Sequence, residues 1–428
     1  MRRVIRPFRL LLLLFAGLQS FAASAADHDA AEVIESYREA VYQIRIIDIA
    51  SSHKSTIGSG FWLGEPAVLV SNYHVISSAI ATPDKYRIEA IDDAGVVHDV
   101  ALVDVDVVND LALMQFESHQ PTKSLRVAQQ VSTQGEKIYA LGYPLDLGLT
   151  VIPGTYNGLL EHSALNRVHF SGSLNPGMSG GPAIEEGGSV VGVNVATSGN
   201  QVSFLVPIGS LHQLLKNYAN RGKPVDNFKQ HMTEQLLSYQ ARVVGALLAL
   251  EWPVSKLGEA MAVEEINKFY RCWGFSNDTN KDEYTQVSRS CQSEGDIYLG
   301  SRFNTGRLEM QFFWLQADTL NSWRFYNYIE SFLGNFVSGN KAQKDDVTKF
   351  VCESGLVNKA DSKTVSTVAK SSFCTRAYKE YPGLYDVLFI SATVDDPRRS
   401  YISHFTLSGV SRELSVAFMT KFNEVAIW

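Results

Sequence analysis

The chain has 428 residues, 45% of them hydrophobic and 19% charged, with a formal net charge of −7. A length of that order accommodates two or three folding units with substantial cores. An acidic balance without a basic run speaks against nucleic acid as a partner. No glycine-rich phosphate loop, CxxC pair or HExxH helix is present, so neither metal nor cofactor is expected.

Met1 to Ala25 carries Arg2, Arg3, Arg6 and Arg9, then an apolar run from Leu10 to about Gly17, and ends in Ala23-Ser24-Ala25. This is the pattern of a secretory signal peptide over residues 1–25, with the cut expected after Ala25 or Ala26. The apolar run is short for a bilayer span, and no later segment is long and apolar enough to form one. A secreted protein with no stable membrane span after leader cleavage is therefore expected. Losing the four arginines takes the net charge from −7 to −11.

From about Val33 to Gly199, short valine- and isoleucine-rich segments alternate with Gly, Pro, Asn and Asp, which reads as an all-β pair of barrels within residues 33–220. The segment GSGFWLGEPAVLVSNYHVISSA runs through Val68 and Val70 to His74, just past a strand. In VALVDVDVVNDLALMQF, Asp110 opens a short apolar strand from Leu111 to Phe116. Asp104 and Asp106 alternate with Val103, Val105 and Val107 and read as the outward face of a strand. Glu117 to Leu125, with His119, Pro121 and Thr122, reads as the crossover to the second barrel.

The second barrel contains LNPGMSGGPAI, Leu174 to Ile184, in which Gly177, Gly180 and Gly181 surround Ser179. A serine hydroxyl attacks an acyl carbon only when a base takes its proton and donors hold the oxyanion. Glycines accept unusual backbone angles and close approach, so the N–H groups of Gly177 and Ser179 can both face the developing charge. Ser171 and Ser173 lack the flanking glycines. Singly, His74 reads as a core histidine, Asp110 as a turn residue and Ser179 as part of an ordinary bend; the weight lies in their occurrence together.

SLHQLLKNYANRG then gives a closing helix with Leu211, Leu214 and Leu215 on one side, followed by a linker over 221–228. Residues 229–428 read as an α+β region of unknown role. Helices are expected at Thr233 to Trp252, Val263 to Cys272, Leu320 to Phe336 and Arg412 to Val425. Strands are expected at Arg307 to Leu315, Tyr385 to Thr393 and Tyr401 to Leu407, the last two forming a hairpin across Asp395-Asp396-Pro397. Aromatics from Phe312 to Phe336, including Trp314, Trp323, Phe325, Tyr326 and Tyr328, read as buried core rather than a ligand site. All four cysteines lie in this region, and three disulfide pairings are open to them. Proximity favours Cys272 with Cys291 and Cys352 with Cys374; their wide spacing suits a metal site poorly.

The order His, Asp, Ser and the motifs GSGFWL, SNYHVI, NDLALMQF, ALGYPLDLG, GMSGGPAI, VVGVNVATSG and SFLVPIGSL resemble the trypsin-like serine peptidases, in particular their bacterial Deg/HtrA-like branch. The likeness runs from Tyr42 to Leu215. It implies that Ser179 is the nucleophile, His74 the general base and Asp110 the residue that orients the imidazole, acting on protein or peptide substrates. It also implies that Ser173 lies near the base of the pocket for the residue before the cut, with Asn194, Val195 and Ala196 lining the same cleft. A neutral Ser173 predicts small or medium apolar side chains there. The periplasm is the compartment implied. The Gly-Leu-Gly-type loop of a PDZ module is missing, which puts PDZ-type activation in doubt and leaves the C-terminal region as the attachment point for a regulatory partner. A different class of function, a peptidase fold used as a peptide-binding or chaperone module, shares the same motifs.

Overall fold

The computed structural model describes residues 25–199, 201–277, 283–336, 339–360 and 366–426, so the expected leader, Ala25 excepted, lies outside the described residues. A helix, α1 (Ala25–Tyr37), precedes six strands: β1 (Val41–Asp48), β2 (His53–Leu63), β3 (Val68–Ser71), β4 (Tyr86–Ile91), β5 (Val97–Asp106) and β6 (Leu111–Phe116). They close into an antiparallel barrel in the order β1-β2-β3-β6-β5-β4, with helix α2 (Tyr73–Ala81) between β3 and β4. β3 and most of β1 and β6 are buried, as expected of strands whose apolar residues face packed neighbours on both sides.

The second barrel follows the Glu117–Leu125 crossover. Its strands are β7 (Arg126–Val127), β8 (Lys137–Gly142), β9 (Thr150–Leu159), β10 (Val168–Phe170), β11 (Pro182–Glu185), β12 (Ser189–Thr197) and β13 (Ser203–Pro207). The order β11-β8-β9-β10-β13-β12 closes through β11–β12 pairing, while β7 joins β12 in parallel. The two barrels share one core: Val41, Phe61 and Val70 from the first pack with Tyr139, Ile184 and Val193 from the second. Helix α3 (Ile208–Arg221) closes this core with Leu211 and Leu214, and its left-handed C-cap is Gly222.

Beyond the barrels, α4 (Phe228–Ala249) starts at Phe228 rather than Thr233, because the Asn227 side chain accepts from the Gln230 N–H and caps it. A small hairpin, β14 (Val254–Leu257) and β15 (Ala260–Val263), leads to β16 (Tyr270–Ser276) and β17 (Tyr284–Ser293). The short pair β18 (Ile297–Gly300) and β19 (Phe303–Thr305) comes next, then β20 (Leu308–Ala317) and helix α5 (Ser322–Gly334). The chain finishes with β21 (Val351–Ala360), β22 (Ser366–Ala377), β23 (Tyr385–Thr393), β24 (Arg399–Val410) and α6 (Arg412–Val425). The seven long strands form an antiparallel sheet ordered β16-β17-β20-β24-β23-β22-β21. One face, with Phe312, Phe389 and Phe405, packs under α4 through Val244 and Leu247 and under α6 through Phe418 and Phe422; the other, with Leu315 and Ile402, packs under α5 through Phe325 and Ile329.

Three further expectations change. Val263 to Cys272 is not a helix: Val263 ends β15, and Cys272 lies in β16 directly opposite Cys291. Cross-strand pairing overrides a short helical pattern at that point. Asp104 is not outward-facing toward solvent but fully buried, because α3 and α4 cover that side and supply Arg221 at 2.8 Å and His231 at 3.1 Å. The aromatic run is only partly core, since Phe312 and Phe325 are buried while Trp323 and Tyr326 are exposed. Strands β17, β21 and β22 were not anticipated. The disulfides Cys272–Cys291 and Cys352–Cys374 form as proximity suggests, one across each edge pair of the open sheet.

Candidate active site

His74 sits in the first turn of α2, immediately after β3. Asp110 occupies the tight turn between β5 and β6 at φ 65°, a left-handed angle that Asp and Asn accept better than other residues with a Cβ. The Asn72 amide donates to the Asp110 carbonyl at 2.7 Å and holds this turn. One Asp110 oxygen accepts the His74 backbone N–H at 2.8 Å, and the other lies 2.7 Å from His74 Nδ1. This double grip places the proton on Nδ1 and leaves Nε2 as the basic nitrogen. Burial would lower the His74 pKa, but the charge of Asp110 and its hydrogen bond outweigh burial and the nearby Arg167 cation, so the imidazole is raised above its ordinary value.

Ser179 lies in the bend between β10 and β11, within Gly177 to Gly181. All three glycines leave no room for a Cβ: at Gly181 it would stand 2.1 Å from the Leu141 carbonyl, and the other two also hold left-handed angles. Gly177 has φ 98°, and a Cβ there would stand 2.4 Å from the Tyr143 carbonyl; Gly180 has φ 86°, and a Cβ would stand 2.3 Å from both the Ser59 carbonyl and Ser71 Oγ. Ser59 of β2 ties this bend to the first barrel. Its N–H donates to the Ser179 carbonyl at 2.8 Å, and its hydroxyl donates to the Gly177 carbonyl at 2.7 Å while accepting from Tyr143 N–H at 2.9 Å. With the Gly177 carbonyl held away on Ser59, none of the hydrogen bonds among the described residues uses the N–H of Gly177 or Ser179. Two unspent donors on one bend are what an oxyanion site requires.

The Ser179 hydroxyl donates to the Val195 carbonyl at 3.2 Å rather than to His74. Val195 is the irregular residue where β12 slips against β13, which frees its carbonyl from the ladder. It lines a cavity of about 740 Å³ together with His74 and Asp110. Asn194 does not line this cavity: it is fully buried, and its amide donates to the Leu141 carbonyl at 2.9 Å. Its backbone is also engaged, accepting from Gly180 and donating to Gly181. Ala196 pairs with Phe204 in the ladder. Ser173 is exposed and lies outside the cavity.

Rival residues are engaged elsewhere. Asp104 is paired with Arg221 and His231, Asp106 holds Asn109, and Ser171 Oγ accepts from Thr155 N–H at 2.9 Å. Sequence reasoning missed Asn72, Ser59 and the inward role of Asn194. The placement of Ser59 between Gly58 and Gly60 was the available signal, since two glycines mark a close approach of other backbone.

Residues 58–193 match the family model described as "Trypsin-like peptidase domain", and the two barrels carry that double-barrel fold. Serine protease HTRA1 of Xenopus laevis is 26% identical over 204 residues, covering 45% of this chain and 43% of the relative. Serine protease HTRA4 of Homo sapiens is 28% identical over 193 residues, covering 42% and 39%. The match thus spans less than half the length of these curated relatives. The solved structure of the serine endoprotease from Yersinia pestis is similar at 22% identity and a TM-score of 0.39, covering 45% of this chain and 68% of its own. The names of the relatives agree with the Deg/HtrA-like branch that the motifs resemble.

Proposed function

We propose that the chain is a secreted serine endopeptidase in which Ser179 attacks the scissile carbonyl, His74 Nε2 takes its proton, Asp110 orients the imidazole, and the N–H groups of Gly177 and Ser179 hold the oxyanion. The observation that carries this reading is the pair of bonds from the Asp110 carboxylate to His74, beside a glycine bend with two uncommitted donors. The Ser179 hydroxyl must leave the Val195 carbonyl and turn to Nε2 before attack. Such bonds commonly tighten only when substrate is bound. The two barrels fall within 33–220, joined by 221–228 to the region 229–428. Both disulfides fit an oxidising, extracytoplasmic compartment, and the leader sequence supports the periplasm. Small or medium apolar residues before the cut are the substrates that the resemblance implies, although Ser173, on which that preference rested, lies outside the cavity.

A second reading is favoured by the orientation of the Ser179 hydroxyl: a barrel pair that binds extended peptides without cutting them. Serine-directed fluorophosphonate separates the two, because only an activated serine is labelled. Ser179→Ala should lower casein turnover by roughly six orders of magnitude, as in comparable triads. A variant that cleaves casein at the parent rate overturns the assignment.

A further inference from the structure

The peptidase motifs end near Leu215, yet the wall of the cleft opposite the barrels comes from the far side of the chain. Glu294 to Tyr298, the segment entering β18, lines the same cavity as His74 and Asp110. Tyr73, the neighbour of His74, donates its buried hydroxyl to the Leu299 carbonyl at 2.9 Å. The Tyr298 ring stands against the His74 ring at 6.0 Å between centroids and 73° between planes, an edge-on arrangement. Ile297 and Leu299 on either side are buried in one core with Tyr73, Val75 and Ile76 of α2. Burial of both side chains stabilises the contact, so it is not incidental.

The same segment also meets the second barrel. A Cβ on Gly295 would stand 3.2 Å from Leu165 in the β9–β10 loop, and His162 of that loop lies 3.1 Å from the Lys268 carbonyl. One stretch of the C-terminal region therefore spans both barrels at the cleft where His74 and Ser179 must meet.

Building on the peptidase reading above, we propose that Tyr298 is a positioning residue for His74, and that residues Gly295 to Leu299 form a permanent wall of the catalytic cleft. The C-terminal region is in this view part of the catalytic unit, not an appended regulator. The Tyr298 ring limits the sideways swing of the imidazole so that Nε2 stays directed at the serine, and it screens that nitrogen from water. The charged and titratable groups around His74 are Asp110 from its own barrel, Arg167, Glu161 and His162 from the β9–β10 loop, and Arg271, Glu294 and Asp296 from the C-terminal region. None of these is altered by changing Tyr298.

The test uses full-length protein and the second-order rate of Ser179 labelling by a fluorophosphonate, followed from acid to neutral pH. Tyr298→Ala should slow labelling 10- to 100-fold and move the acid limb of the profile to higher pH, since a more hydrated imidazole keeps its proton longer. Tyr298→Phe keeps the ring and should restore both rate and limb to near parent values. Tyr73→Phe, which removes the hydroxyl that donates to Leu299 and also bonds to Tyr381, both in the C-terminal region, should slow labelling several-fold without moving the limb, and it provides the reading if Tyr298→Ala does not fold. A folded Tyr298→Ala that labels at the parent rate with an unmoved limb overturns the proposal, as does a Tyr298→Phe that fails as badly as Tyr298→Ala. If the parent itself is never labelled, the peptidase reading falls instead, so the two failures are distinguishable.

Discussion

The paired barrels contain no cysteine and close their sheets on themselves, whereas the C-terminal sheet stays open and has a disulfide across each of its two outer strand pairs. Closure removes the unpaired N–H and C=O rows that make sheet edges vulnerable. An open seven-stranded sheet keeps both rows, and covalent links from β16 to β17 and from β21 to β22 hold those edges in register. The barrels place Asp110, Gly177 and Gly180 at positive φ in the turns of the proposed site. The C-terminal sheet instead supplies a rigid surface from which Gly295 to Leu299 reaches α2. The difference teaches that closure and stapling are two solutions to one problem.

The largest break in this comparison should come from Asp110→Asn. Asn tolerates φ 65° and preserves the turn, but its amide would face Nδ1 and impose the wrong imidazole tautomer. Turnover should fall about 10⁴-fold, as in comparable triads, with the melting temperature nearly unchanged. Asp110→Ala should lose activity similarly and also melt earlier, because a left-handed alanine costs about 1–2 kcal/mol. If Asp110→Asn keeps a tenth of parent turnover, the carboxylate does not orient the histidine.

The same contrast explains which parts were legible in the sequence. β6, β23 and α6 fall where the residue pattern puts them, and the two barrels follow from short β-branched runs broken by turn residues. His74, Asp110 and Ser179 stand out because the proposed chemistry admits few residue types at each of their places. β21 and β22 were invisible because their exposed faces carry Lys, Ser and Asn with little alternation, and their pairing is set by partners far along the chain. Asp104 was misread for a related reason: the strand pattern shows an outward side chain but not the helices that later cover it. Tyr298 had no local signal at all, since its contact with His74 joins positions brought together only by the C-terminal fold.

Removing the disulfides should sharpen the comparison at an intermediate scale. Their sequence separations of 19 and 22 are nearly equal, so each should stabilise by about 3 kcal/mol in the chain-entropy model. Their distance from the cleft is not equal. Cys291 lies in β17, which runs directly into Glu294 to Tyr298, whereas Cys352 and Cys374 staple the opposite edge. Urea melts should therefore show similar losses for Cys272→Ala/Cys291→Ala and Cys352→Ala/Cys374→Ala, while only the first pair slows Ser179 labelling. Equal slowing by both would mean that the sheet reaches the cleft as one undivided body.

The smallest effect, and the most direct reading of the site, is the pH dependence of kcat/KM. On the proposed mechanism His74 acts as a base only when neutral, so activity is expected above its pKa in the folded protein and should be lost as pH falls through it. Burial pulls that pKa down, Asp110 pushes it up by charge and hydrogen bond, and Arg167 pulls it down; the net direction is up from 6.5. The acid limb should accordingly lie above the ordinary imidazole value. Arg167→Gln removes a cation from the cleft and should carry the limb further up, whereas Asp110→Asn should carry the residual limb down. A parent limb below 6.5, or an Arg167→Gln limb moving toward acid, would show that the carboxylate does not dominate the electrostatics of this histidine.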